Sequence, residues 1–243
     1  MKAHCAPRTD EQAAGRAVEP LVVAEGVSRT FGEGLQAIVA VHGATCTIAA
    51  GARIAISGPS GSGKSTLLHL FAGLDLPTSG SLRWPAFGHD GTPGPSDVAT
   101  VFQGASLIPS LNAGENVGLP LVLLGATQSD AEEQSTAALE TLGIVDLGRA
   151  LPEELSGGQA QRVAVARAVA TSPRVILADE PTGQLDHQAA ARVIDVLIAA
   201  ADHVGAALVV STHDPHVAAQ MTTRWRIHEG RLDTTNFANG VPS

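Results

Sequence analysis

Apolar residues recur along this chain in two rhythms, short continuous or alternating runs and helical spacings, and the order of the two predicts its elements. Leu21-Val22-Val23-Ala24 with Val27, Ala37 to Val41, and Ala44 to Ile48 predict three short strands close together, the pattern of a small antiparallel layer. Gly51 turns the chain into a further strand, Arg53-Ile54-Ala55-Ile56-Ser57, and a helix is expected over 64–73. Pro77-Thr78-Ser79-Gly80 is a turn leading to a returning strand at Ser81 to Trp84. Three prolines and three glycines then make 85–95 a loop.

Val98 to Phe102 predicts a strand that ends at Gln103. The apolar stretch Leu107 to Leu124 is interrupted by Pro109, Gly114, Gly118 and Pro120, which predicts short helical pieces with an exposed apolar face. Ser129-Asp130-Ala131-Glu132 has the form of a capping box and opens a helix that runs to Leu142 and stops at Gly143. Ser156-Gly157-Gly158-Gln159 has the same form and opens another, to about Thr171. Arg174 to Ala178 is nearly all apolar, as a strand buried on both faces should be, and it ends in Asp179 and Glu180. Asp186 caps a helix through Ala201, Ala207 to Ser211 is a second buried strand ending at Thr212-His213, and Asp214-Pro215 opens a short helix. Trp225 to Leu232 reads as a hairpin turning at Glu229-Gly230. Strands alternating with helices from residue 53 onward imply an α/β fold with a parallel core sheet covered on both sides.

Composition narrows the function classes. The chain has 243 residues, enough for one large domain with a substantial core, expected over 20–235 between a frayed polar lead at 1–19 and a short tail at 236–243. No apolar run approaches the roughly eighteen residues that a bilayer crossing needs, and the lead has no apolar signal region, so the cytoplasm is the expected compartment. Cys5 and Cys46 lie far apart with no metal-binding spacing and are read as structurally incidental. A net charge of −9 without a basic block argues against a nucleic-acid partner.

The strongest chemical signal is Gly58-Pro59-Ser60-Gly61-Ser62-Gly63-Lys64-Ser65-Thr66, a phosphate-binding loop set between a strand and a helix. Its three glycines let successive N–H groups converge on one anion at a helix N-terminus. Lys64 would reach the β- and γ-phosphates, and Ser65 would place its hydroxyl on Mg²⁺. In an open parallel sheet, ligands collect beyond the carboxyl ends of the strands. The phosphate loop, Gln103, the Asp179/Glu180 pair and His213 all stand at such ends. Asp179 fits the carboxylate that holds hydrated Mg²⁺, Glu180 would orient or deprotonate the attacking water, and His213 would contact the γ-phosphate or steady Glu180. Phe31, one of five phenylalanines in a chain without tyrosine, is expected in a loop after the first strand, where it could stack on adenine or simply pack on the sheet edge. Ser156, Gly157 and Gly158 form a second helix start able to face an anion.

These motifs, in this order and spacing, resemble the ATP-binding cassette (ABC) family over about Leu21 to Asp233. Leu155-Ser156-Gly157-Gly158-Gln159 is similar to its signature, Phe102-Gln103 to its Q-loop, Val175 to Glu180 to its Walker B strand, Gly183 to Asp186 to its D-loop, and Ser211 to Asp214 to its switch histidine. The resemblance implies a P-loop ATPase with a parallel core sheet, a small antiparallel β layer and a helical subdomain at about 104–172 carrying the signature. It also implies ATP and Mg²⁺ as ligands, Gln103 near the metal, and Asp186 and Gln159 near nucleotide. Partners implied are a second copy, closing its signature over the ATP held by the first, and an integral membrane permease that holds the pair at the cytoplasmic face. Gly73-Leu74-Asp75, Pro77 to Gly80, Ser106 to Pro109, Glu115-Asn116-Val117 with Leu119 to Leu121, and Pro181-Thr182-Gly183 resemble the branch serving lipoprotein release, macrolide and peptide export, and cell division. The chain departs from that pattern in a short 81–98 segment, in Gln184 where Asn is usual, and in Phe31 for Tyr. Two other readings are a regulatory cassette that activates wall hydrolases without transport and a soluble cassette acting on ribosomes or DNA.

Overall fold

The computed structural model describes residues 19–87 and 92–235; the expected lead before residue 19, the tail at 236–243, Cys5 and part of the 85–95 loop lie outside them. Two sheets organise the chain. A three-stranded antiparallel sheet has the order β2-β1-β4, from β1 (Val22–Phe31), β2 (Ile38–Ile48) and β4 (Ser79–Arg83). A six-stranded sheet has the order β5-β6-β7-β3-β8-β9, from β3 (Arg53–Ser57), β5 (Val98–Val101), β6 (Val175–Asp179), β7 (Ala207–Thr212), β8 (Thr223–His228) and β9 (Arg231–Asp233). Its strands pair in parallel except at β8–β9, the expected hairpin.

The apolar runs explain why the larger sheet is covered on both faces. In β6, Ile176 and Ala178 point into one core with helical residues, while Val175 and Leu177 point into a second core shared with β1, β2 and the helix after β3. This alternation is the period-two geometry of a strand, used here to bury both sides. Cys46 belongs to the second core, where burial pushes its thiol up to about 12, in keeping with an inert packing residue.

Several boundaries differ from expectation for identifiable reasons. The two strands expected at 37–41 and 44–48 are one, β2, which passes through Gly43 at φ 55° while β1 absorbs the irregularity in register shifts between Ala24 and Thr30. Strand β1 also runs on to Phe31, which pairs with Ile38 and so ends the strand instead of lying in a loop beyond it. The stretch 107–124 holds a single helix, α2 (Ala113–Leu123), with Pro120 inside it. Gly114 and Gly118 mark close approaches instead of breaks: a Cβ at Gly114 would lie 3.2 Å from Gly148 O, and one at Gly118 3.3 Å from Ala131 O. Asn112 and Glu115 make the capping box that starts α2. The next helix, α3 (Gln128–Thr141), is capped by Thr127, whose hydroxyl accepts the Asp130 N–H, two residues before the expected Ser129.

The remaining helices fall close to expectation: α1 (Lys64–Phe71), α4 (Gly157–Val169), α5 (His187–His203) and α6 (Pro215–Ala219). Helices α2, α3 and α4 pack on one another. The segment between Gln103 and α2 is held by Asn116, fully buried on α2: its Oδ1 accepts from Ile108 N at 2.7 Å, and its Nδ2 donates to the carbonyls of Ile108, Leu111 and Asn112. Removing that amide takes from the Ile108 N–H and the Leu111 carbonyl the partner that holds each of them and empties a fully buried site. Asn116→Ala is therefore expected to lower stability by about 2–4 kcal/mol, read from the urea unfolding midpoint.

Candidate active site

The phosphate loop is shaped by what surrounds its glycines. A Cβ at Gly58 would sit 2.2 Å from Ile227 O, and one at Gly63 2.2 Å from Ala40 O, so β8 and β2 press the loop from two sides. Gly61 and Gly63 adopt φ 76° and 104°, the left-handed region open to glycine. Gly63 is also the N-cap of α1 and brings no side-chain cap, so the first turn of that helix keeps its N–H groups for a ligand. Ser62 Oγ is buried without a hydrogen-bond partner, Ser65 is exposed, and Pro59 and Ser60 lie on the outer edge of the loop. Uncapped helix N–H groups, an orphaned buried hydroxyl and a buried lysine form a donor set suited to a polyphosphate.

Lys64 folds back over the loop, its Nζ donating to Gly58 O at 2.8 Å and Pro59 O at 3.1 Å. It also forms an ion pair with Glu180 Oε1 at 3.2 Å. The other carboxylate oxygen of Glu180, Oε2, is 2.6 Å from His213 Nδ1. His213 is 66% exposed, whereas Glu180 is largely buried between its two partners. Parallel pairing of β3, β7 and β6 accounts for this meeting, because it aligns the ends of the strands from which the three residues follow. Asp179 closes β6 and accepts a hydrogen bond from Ser211 Oγ at 2.5 Å, and the Glu180 N–H donates to Ser211 Oγ at 3.0 Å. Gln103, just beyond β5, lies against Gly183: a Cβ there would come within 2.9 Å of Gln103 Nε2.

Phe31 stands at the edge of the smaller sheet, 42% exposed, with the Arg29 guanidinium 4.5 Å from its ring centroid. Arg29 is in turn paired with Asp75 at 2.8 Å. Ser156 and Gln159 form a reciprocal capping box at the start of α4, which uses the Ser156 and Gln159 N–H groups and leaves those of Gly157 and Gly158 outside it. The first residues of α4, the Gln184-Leu185-Asp186 turn, Arg162 and Arg192 line a cavity of about 360 Å³ that includes no phosphate-loop residue. The Asp186 carboxylate caps α5 by accepting the Ala189 N–H at 2.8 Å. The structure thus brings Lys64, Glu180 and His213 into contact and keeps the signature residues in a cavity apart from them.

Three residues in or beside this site make contacts that the motif reading did not assign. Ser211 bonds to both acids' segment, Arg29 backs the exposed phenylalanine, and Gln161, buried on α4, donates to Phe102 O at 2.9 Å just before Gln103. For Ser211 the sequence signal is polarity at the end of a run that the apolar rhythm assigns to a buried strand; Arg29 and Gln161 carry none.

The ABC transporter family profile matches residues 41–183. The chain is 39% identical over 219 residues to the lipoprotein-releasing system ATP-binding protein LolD of Legionella pneumophila (strain Lens), covering 87% of this chain and 96% of that one. It is 40% identical over 236 residues to the macrolide export ATP-binding/permease protein MacB of Nitrosomonas europaea, covering 92% of this chain but 35% of that longer protein. Among solved structures, the dimeric post-hydrolysis state of the ATP-binding cassette MJ0796 bound to ADP and Pi superposes with a TM-score of 0.78 at 31% identity, over 90% of this chain and all of that one. Motif order, sheet order and these likenesses agree: this chain belongs to the ABC transporter family, as an ATP-hydrolysing cassette of the LolD/MacB type.

Proposed function

We propose that two copies of this chain close face to face around two Mg-ATP and so drive a separate membrane permease, in export or in force transmission of the lipoprotein, peptide or drug type. The observation that carries this reading is the separation of the two anion-ready sites: the phosphate loop and the signature cavity do not meet within one molecule. A second molecule supplies what each lacks, and MJ0796, described above, is itself a dimer with ADP and Pi.

Within each half, Lys64 would exchange Glu180 for the phosphate oxygens of a bound triphosphate. That exchange frees Glu180, still held by His213, to take a proton from an attacking water. Ser65, Gln103 and Asp179 would hold Mg²⁺, which supplies charge neutralisation at the phosphates; an ion that keeps most of its waters asks for few protein ligands. Phe31 would present a ring face to adenine, and Gly157 and Gly158 would offer their N–H groups to the partner's γ-phosphate.

Residues 20–235 form the ATPase unit in this reading, with the helical part at about 104–172 moving the signature. The permease would dock on that part, where Val122, Leu123 and Leu124 are exposed at the end of α2 beside a groove of about 730 Å³ between α2 and α3. Among the described residues no helix is long and apolar enough to cross a membrane, so attachment would be through that partner.

Two substitutions test the site. Glu180→Gln is expected to lower ATP turnover by about a thousandfold while retaining ATP, and to elute as a dimer with ATP and Mg²⁺ in light scattering. A monomer under those conditions would remove the face-to-face reading. Lys64→Ala is expected to weaken ATP binding by about a hundredfold in calorimetric titration, since a charge-assisted contact to the phosphates is lost; unaltered affinity would contradict the phosphate-loop assignment.

A further inference from the structure

Ser211 is one of several buried polar side chains to which the reading above gives no task. It lies in β7, where all six residues are buried, and follows Leu208, Val209 and Val210; its own exposure is 0%. A hydroxyl in such a place is costly unless both its proton and its lone pairs are used. Alanine or valine would serve the strand as well or better, so the hydroxyl needs a reason of its own.

Strand register supplies one, because it sets Ser211 directly beside Asp179. The hydroxyl has a single proton, and it is given to Asp179 Oδ1 at 2.5 Å. Its lone pairs are then left to accept the Glu180 N–H at 3.0 Å, an N–H that also reaches the Ser211 carbonyl at 3.1 Å. Glu180 needs this hold. Its φ is 48°, the left-handed region that a residue with a Cβ occupies only when its surroundings enforce it. With the backbone so fixed, the carboxylate stands between Lys64 and His213. One hydroxyl therefore governs two acids at once, orienting the carboxylate of the first and the backbone of the second.

We infer that Ser211 is a positioning residue for ATP hydrolysis, aligning Asp179 and Glu180 without touching nucleotide itself. The inference rests on the roles proposed above for those two acids. Losing the hydroxyl leaves the strand intact and the Glu180 N–H with its carbonyl partner, so the effect falls on alignment, to which reaction rates are steeply sensitive.

The test compares Ser211→Ala, Ser211→Cys and Ser211→Thr in the full chain. Ser211→Ala is expected to lower kcat for Mg-ATP about tenfold while KM stays within about twofold. Cysteine fills nearly the same space but donates poorly, and should match alanine; threonine keeps the hydroxyl and should recover most of the rate. In nucleotide-free protein, residue-resolved amide exchange at Glu180 should accelerate about tenfold in Ser211→Ala, with β6 and β7 otherwise unchanged. A kcat for Ser211→Ala within about twofold of the parent would overturn the inference. So would a fall in kcat matched by a rise in KM and by faster exchange throughout β6 and β7, which marks general loosening. Lys64→Ala run in parallel separates the two levels: if it is inactive while Ser211→Ala matches the parent, only the positioning role fails. If the parent itself does not hydrolyse ATP, both fall.

Discussion

Parallel pairing of β6, β7 and β3 is the constraint on which the site depends. Glu180 and His213 stand just past the carboxyl ends of β6 and β7, Lys64 follows β3 across the phosphate loop, and adjacent pairing turns these three distant positions into neighbours. None of the three is held by local sequence alone. The pairing survives because β6 and β7 are buried on both faces, so a slip in register would expose apolar residues to no benefit. The chemistry is thus fixed by burial that lies wholly behind it.

Charge is handled with similar economy. Lys64 is buried, a place where an isolated cation would be costly, and it is compensated by two carbonyls and by Glu180. In the proposed reading, the residue that would balance nucleotide charge is balanced meanwhile by the acid assigned to the attacking water, which would link binding to readiness for hydrolysis through a single ammonium group.

Much of this was legible in the sequence because its signals are either strictly local or strictly periodic. The phosphate loop, the β6 run ending in Asp179-Glu180 and the Ser156 box depend on spacing within one segment, and each stands at the expected place in its element. Where tertiary contact decided, reading by pattern failed. Gly114 and Gly118 look like helix breakers but serve the approach of neighbouring backbone, and the two strands expected at 37–41 and 44–48 are one continuous strand through Gly43. Thr127 rather than Ser129 caps α3 because both satisfy the local rule, and nothing nearby in sequence chooses between them. The bonds that Ser211 and Asn116 make were not legible for a related reason: a lone polar residue in an apolar segment announces that something is bonded to it, but not what.

The clasp around the phosphate loop has a mechanical meaning. Ala40 and Ile227 wall in two of its glycines, Gly230 N–H bonds to Ser62 O, and His42 N–H bonds to Gly230 O, so loop, β2 and the β8–β9 turn are stitched into one block. Phe31 belongs to the same block through β1. If Phe31 and the loop take the two ends of a nucleotide as proposed, both grips are cast in one piece, an anvil tied together by strand pairing and backbone hydrogen bonds, and a hinge would be sought along the backbone that joins the anvil to its helical half.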